Sequence, residues 1–167
     1  MIENFYQNPD LIIVIHFIST SLMVGIIWII QLLHYPAFHF IDKANYSAFQ
    51  DFHMNRVSFI VVPTMITELV SGILVVLILP KYFLFKISLG ILASIWIVTF
   101  LFFTKLHQSL TVGYDEVLVN KLVRLNWLRT ALWTARLFIL FIMSIWNDFI
   151  PLMQCGRYSC FLVCISI

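Results

Sequence analysis

The chain has 167 residues, 62% of them hydrophobic and 11% charged, with a mean hydropathy of +0.98 and a formal net charge of +2. Soluble domains run near half apolar and a quarter charged, so this composition excludes a soluble globule and demands a membrane-embedded chain. The Lys and Arg are few and dispersed, which excludes a nucleic-acid footprint and a polybasic lipid patch.

The leading stretch MIENFYQNPD is acidic and lacks Lys or Arg, unlike the n-region of a secretory signal, so the first apolar run is expected to stay in the membrane. Four runs reach the roughly 20 residues needed to cross a bilayer, near 11–33, 57–79, 82–104 and 127–150. The expectation is an all-α, integral membrane four-helix bundle forming one domain over 1–150, followed by a Cys-containing tail over 151–167. Pro80 and Lys81 leave so short a link that the second and third spans must be antiparallel neighbours. The other two connections are longer, polar and partly helical in pattern. Lys43, Arg56, Lys105, Lys121, Arg124 and Arg129 collect on their side, against Lys81, Lys86 and Arg157 on the other. The positive-inside bias therefore places both termini outside and the long connections in the cytoplasm.

Each span carries one polar stripe at helical spacing. His16, Ser19, Thr20, Gln31 and His34 line the first; His53, Arg56, Thr64, Thr67, Glu68 and Ser71 the second; Lys86, Thr104 and His107 the third. The fourth contributes Asn126, Arg129, Thr130, Trp133 and Arg136. Charges in a membrane-length helix are costly and face the bundle interior or a cavity, so Arg56, Asn126 and Arg129 are read as polar interior. Glu68 and Arg136 lie at matching depth, roughly 16 and 14 Å into their spans. Two uses fit them: a buried ion pair that fixes helix register, or the polar floor of a cavity. Pro63, five residues before Glu68, frees a backbone carbonyl at that depth.

The histidines form a second constellation. His34, His53 and His107 fall near one interface, a level from which three imidazoles ligate a metal or haem iron, relay protons, or simply favour the headgroup region. At the opposite end His16, about five residues inside the first span, is an axial-ligand candidate for haem, with Lys86 at a similar level. Cys155, Cys160 and Cys164 fit no zinc or haem-attachment spacing, no dedicated metal site is expected, and no phosphate loop, Ser/His/Asp set or H-E-x-x-H is present.

The segments HYPAF (34–38), HMNR (53–56), VPTMITEL (62–69), HQSLTVGYD (107–115) and NWLRTALWTAR (126–136) together resemble a group of small bacterial integral membrane proteins, a likeness that names no reaction. It implies that His34, His53, Arg56, Glu68, His107, Asp115, Asn126, Arg129 and Arg136 are characteristic of the group. More distantly, His16, Pro63 with Met65, and Lys86 resemble the pattern of HemJ-type protoporphyrinogen oxidases and CopD-like membrane proteins. The Leu-Pro-Arg-Leu-Phe stretch that ends the first helix of the HemJ type is QLLHYPAF here. These resemblances imply a bacterial inner membrane, and the HemJ type implies haem b and the oxidation of a tetrapyrrole; another small-molecule ligand and a homo-oligomer are open expectations beside them. Proton or metal handling, and a non-catalytic membrane scaffold, stand beside it as rival readings.

Overall fold

The computed structural model describes residues 9–145, and within them the chain is helical with no strand. Four helices are long and apolar enough to cross a membrane: α1 (Pro9–Phe40), α2 (Tyr46–Ile78), α3 (Phe83–Leu110) and α4 (Glu116–Ile145). The protein is an all-α, multi-pass membrane protein. In a bilayer core no water satisfies backbone groups, so runs such as LIIVIHFISTSLMVGIIWII must close their hydrogen bonds internally, and the helix is the only local way to do so. Thr64, Thr67, Ser94 and Thr104 extend this economy by donating their hydroxyls to the carbonyls four residues back.

The helices form a closed ring in which α1 packs on α2 and α4, and α3 packs on α2 and α4. The α2–α3 seam is the most thinly packed of the four. Three apolar layers fill the interior along the bundle axis. Ile12, Val75, Phe85 and Leu140 occupy the end near the α2–α3 connection, Met23, Ile27, Met65, Ile95 and Trp133 the middle, and Tyr35, Phe38, Tyr46, Phe103 and Leu122 the end near the two longer connections. The outer face carries exposed Leu11, Phe59, Leu77, Phe83, Ile97 and Phe138, as a lipid-facing surface requires.

The helices outrun the expected spans. α2 begins at Tyr46 rather than 57, α3 continues to Leu110 and α4 begins at Glu116 rather than 127. A hydropathy window finds only the part that crosses lipid, whereas an amphipathic extension keeps a helix going: Tyr46, Phe49, Gln50, His53 and Val57 repeat at helical spacing on the inward face. At 33 residues α2 is about 50 Å long, well beyond a bilayer core of about 30 Å. Asp115 caps α4 by accepting from the backbone N–H of Val117 and Leu118, at 2.8 and 3.0 Å, and Asp42 accepts from Ala44 at 3.0 Å before α2. The turn between α3 and α4 uses Gly113 at φ +156°, where side-chain-bearing residues are rarely found. Residues 146–150 of the expected fourth span and the tail with Cys155, Cys160 and Cys164 lie outside the described residues.

Two helices depart from α geometry, α1 through a π-helical turn at Ile30–His34 and α3 through one at Thr99–Phe103. Such turns widen a helix by one residue and gather at functional sites. Both lie at the same end of the bundle.

Candidate functional site

Two polar layers cross the interior. The first lies between the apolar layer near the α2–α3 connection and the middle one. Here α2 supplies Glu68 and α4 supplies Arg136, both fully buried and in contact through Arg136 Nη1 and Glu68 Oε1. The second carboxylate oxygen accepts from Trp133 Nε1 at 3.1 Å. Arg136 Nε donates to the Ser88 carbonyl at 3.1 Å and contacts its hydroxyl at 3.3 Å, while Nη2 faces His16 Nε2 at 3.4 Å.

The protonation of His16 follows from its neighbours. Ser71 Oγ donates its hydrogen to the Thr67 carbonyl at 2.7 Å, so at 3.0 Å from His16 Nδ1 it accepts, and Nδ1 carries the proton. Nε2 then offers its lone pair to Arg136. Both ring nitrogens are engaged, and a Cβ added at Gly72 would meet His16 Cε1 at 2.9 Å. Every polar side-chain atom of Glu68, Arg136, Trp133, His16, Ser71 and Ser88 has a partner. These groups satisfy one another, the Glu68 carboxylate balancing the Arg136 guanidinium.

The second layer lies at the end with the two longer connections. His34 follows the π-helical turn of α1, and its Nε2 lies 2.5 Å from Nδ1 of His53 on α2. Tyr35 is buried with its hydroxyl 3.0 Å from Nε2 of His107 on α3. Gln50 Nε2 donates to His107 Nδ1 at 3.0 Å and to the His107 carbonyl at 3.3 Å. From α4, Asn126 Nδ2 donates to Gln31 Oε1 at 2.9 Å and Arg129 Nη1 reaches Asn126 Oδ1 at 3.4 Å. The Arg129 guanidinium lies 4.3 Å from the Phe103 ring centroid and 5.1 Å from that of Trp133.

This layer is left open in two respects. Arg129 is 5% exposed and its Nε has no hydrogen-bond partner, as is true of buried Gln50 Oε1. Among the described residues the Arg136–Glu68 contact is the one salt bridge, so Arg129 has no carboxylate. A cavity of about 520 Å³ adjoins it in the thin α2–α3 seam. Tyr35, His53, His107 and Arg129 form its polar end; Val61, Met65, Trp96 and Phe100 form its largely apolar body, in which Trp96 Nε1 is a buried donor without a hydrogen-bond partner. Both π-helical turns contribute lining, through Ile30, Thr99, Phe100 and Phe103. The volume falls in the range of small-molecule sites, about 300–1,000 Å³. By contrast His16 borders a recess of about 230 Å³ with Phe17, Phe85 and Leu140.

The residues expected to serve a site divide accordingly. The structure brings His34, His53, His107, Asn126 and Arg129 together, and Glu68, Arg136 and His16 separately. Two residues fall elsewhere. Arg56 is exposed, its guanidinium 5.5 Å from the Phe52 centroid, and lies on the outer face rather than in the interior: beside the start of the expected span a long cation reaches water at little cost. Lys86, one turn into α3, is likewise exposed, and the same reason removes it from the interior. His34, His53 and His107 do not converge as a metal centre; no group of three His, Cys, Asp or Glu among the described residues is so arranged, because both His107 ring nitrogens already have partners. Sequence reasoning passed over Tyr35, Gln50 and Ser88. Tyr35 stands inside HYPAF between His34 and Pro36, and Gln50 three residues before His53 on one helical face; those were the available signals.

No protein-family model, no curated protein and no solved structure matches this chain.

Proposed function

We propose that the protein holds a haem or related redox cofactor in the α2–α3 cavity, with His53 as the iron ligand. The observation that carries this reading is His53 itself: 4% exposed, lining the cavity, with Nδ1 held by His34 so that Nε2 remains for a ligand. A ligating imidazole typically gives its other N–H to a second group that fixes ring orientation and raises basicity, and His34 stands in that position. Bound there, haem would supply one-electron chemistry. The chain's own part is to orient the ring, to exclude water through Phe103, Met65 and Trp96, and to set the local charge through Arg129. His16 fits less well, because its Nε2 lone pair serves Arg136.

The test is an absorbance spectrum of the detergent-purified protein, oxidised and reduced. A Soret band lost in His53→Ala and retained in His16→Ala is the expected result. A colourless parent protein that also fails to take up added haem rejects the reading.

A specific observation favours a second reading, proton handling. His34 and His53 are hydrogen-bonded to each other, and Gln50, His107 and Tyr35 form a continuous chain beside them. Proton-coupled flux in reconstituted vesicles, abolished by His53→Gln without haem, distinguishes the two. In either reading the Lys and Arg distribution supports an inner-membrane protein with both termini outside, the cavity's polar end then facing the cytoplasm.

A further inference from the structure

The polar end of the cavity is built for an anion, and its position says where the anion comes from. This inference rests on the reading of the α2–α3 cavity as a ligand site and goes further, to the chemical class of the occupant.

Hydrogen assignment around Tyr35 is the first step. Gln50 Nε2 faces two groups, His107 Nδ1 and the His107 carbonyl oxygen. Turning the amide over would set its oxygen 3.3 Å from that carbonyl, acceptor against acceptor, so the nitrogen is correctly placed and donates to both. His107 Nδ1 is thereby an acceptor, and in a neutral ring Nε2 carries the hydrogen. Nε2–H donates to the Tyr35 oxygen at 3.0 Å. Tyr35 is the acceptor in that contact, so its own O–H is left to point elsewhere, and Tyr35 borders the cavity beside Arg129. Beside it, Arg129 Nε is a second buried donor without a partner, on a cation without a carboxylate. Two unspent donors and an uncompensated positive charge at one end of an apolar chamber are what a carboxylate or comparable oxyanion completes.

Depth and access identify the carrier. Met65, in the apolar body, is twelve positions along α2 from His53, about 18 Å deeper. The mouth lies between α2 and α3, where Val62 and Phe100, 46% and 57% exposed, belong to the lipid-facing surface. A ligand with its head at the interfacial end and its body toward the bilayer centre has the same disposition as a membrane amphiphile and can enter sideways from lipid.

We infer that the cavity takes a membrane-borne amphiphile with a carboxylate head, bound by the Arg129 guanidinium and the Tyr35 hydroxyl, with its apolar body along Val61, Met65, Trp96 and Phe100. A fatty acid and a tetrapyrrole with propionates share this chemistry, and two arms separate them.

The protein, with a Trp96→Phe companion to isolate the signal from the cavity, is placed in phosphatidylcholine nanodiscs. Quenching of Trp96 is measured with dibromostearate and with its methyl ester; in the second arm, uptake of metal-free protoporphyrin IX and of its dimethyl ester is measured by absorbance. The acid is expected to bind about tenfold or more tightly than the ester, the scale of a charge-assisted hydrogen bond. Arg129→Gln and Tyr35→Phe should erase the preference, and Tyr35→Phe, which keeps the ring packing, carries the test if Arg129→Gln does not fold. A preference in the first arm identifies a lipid acid, and one confined to the second identifies a tetrapyrrole. Equal binding of acid and ester in both arms, or no saturable binding, overturns the inference. A His53-dependent Soret band on added haem, found alongside equal binding, would leave the cofactor reading standing while this one falls.

Discussion

The two polar layers of this bundle contain similar groups and end in opposite states. Around Glu68 a cation, a carboxylate, an indole, an imidazole and hydroxyls close on one another with no polar atom to spare. Around Arg129 a cation, a phenol, three imidazoles and three amides form a comparably connected set that lacks a carboxylate and retains unpartnered donors beside a 520 Å³ chamber. Buried polar groups stabilise a fold only when satisfied. The first layer therefore reads as a device for holding four helices in register, and the second as a place where stability is given up for binding.

The largest effect should come from opening the closed layer. Glu68→Gln or Arg136→Leu leaves one buried charge alone, which typically costs about 3–5 kcal/mol. The double change Glu68→Gln with Arg136→Gln should recover much of the loss, since no uncompensated charge remains. Thermal unfolding in detergent measures both. Additive losses in the double variant would show that the pair does not act as a unit and would erase the contrast between the layers.

Trp133→Phe is expected to come next, because it removes the donor to Glu68 Oε2 and keeps most of the ring; hydrogen bonds to charged groups are worth about 1.5–3 kcal/mol. Gly72→Ala should cost a similar amount, about 1–3 kcal/mol, through overpacking. Its Cβ would meet His16 Cε1 at 2.9 Å, and that ring cannot yield without leaving Ser71 or Arg136. A neutral Gly72→Ala would mean that the closed layer has slack.

How much of this was legible in the sequence differs between the layers too. Composition and run length are enough for four spanning helices, because the bilayer admits few alternatives. Glu68 and Arg136 were pairable from depth alone, since two opposite charges in apolar runs have few other places to go. The helix extensions below the spans were harder, as they alternate polar and apolar residues and escape a hydropathy window. The Arg129 layer was hardest. Its histidines were visible as types, but their orientation depends on two π-helical turns that shift the face of α1 and α3, and nothing in the run IQLLH or TFLFF signals such a turn. Tyr35 was missed for that reason and Gln50 because it lies in the α2 extension before the expected span, and Arg56 was placed inside because a stripe drawn on an ideal helix does not say where a long side chain will reach water.

The smallest effect on stability should accompany the sharpest effect on binding. Arg129 is buried without a carboxylate, held by one long contact to Asn126 and by two aromatic faces. Replacing a buried charge whose solvation is only partly repaid by a neutral side chain is often neutral or stabilising. We therefore expect Arg129→Gln to change thermal stability by no more than about 1 kcal/mol, in contrast to Arg136→Leu. The same variant should lose the preference for acid over ester, so that stability and binding move independently at one position. Sites that give up stability for function behave in this way. A loss from Arg129→Gln as large as that from Arg136→Leu would instead make both layers structural, and the chamber beside Arg129 a gap in packing rather than a site.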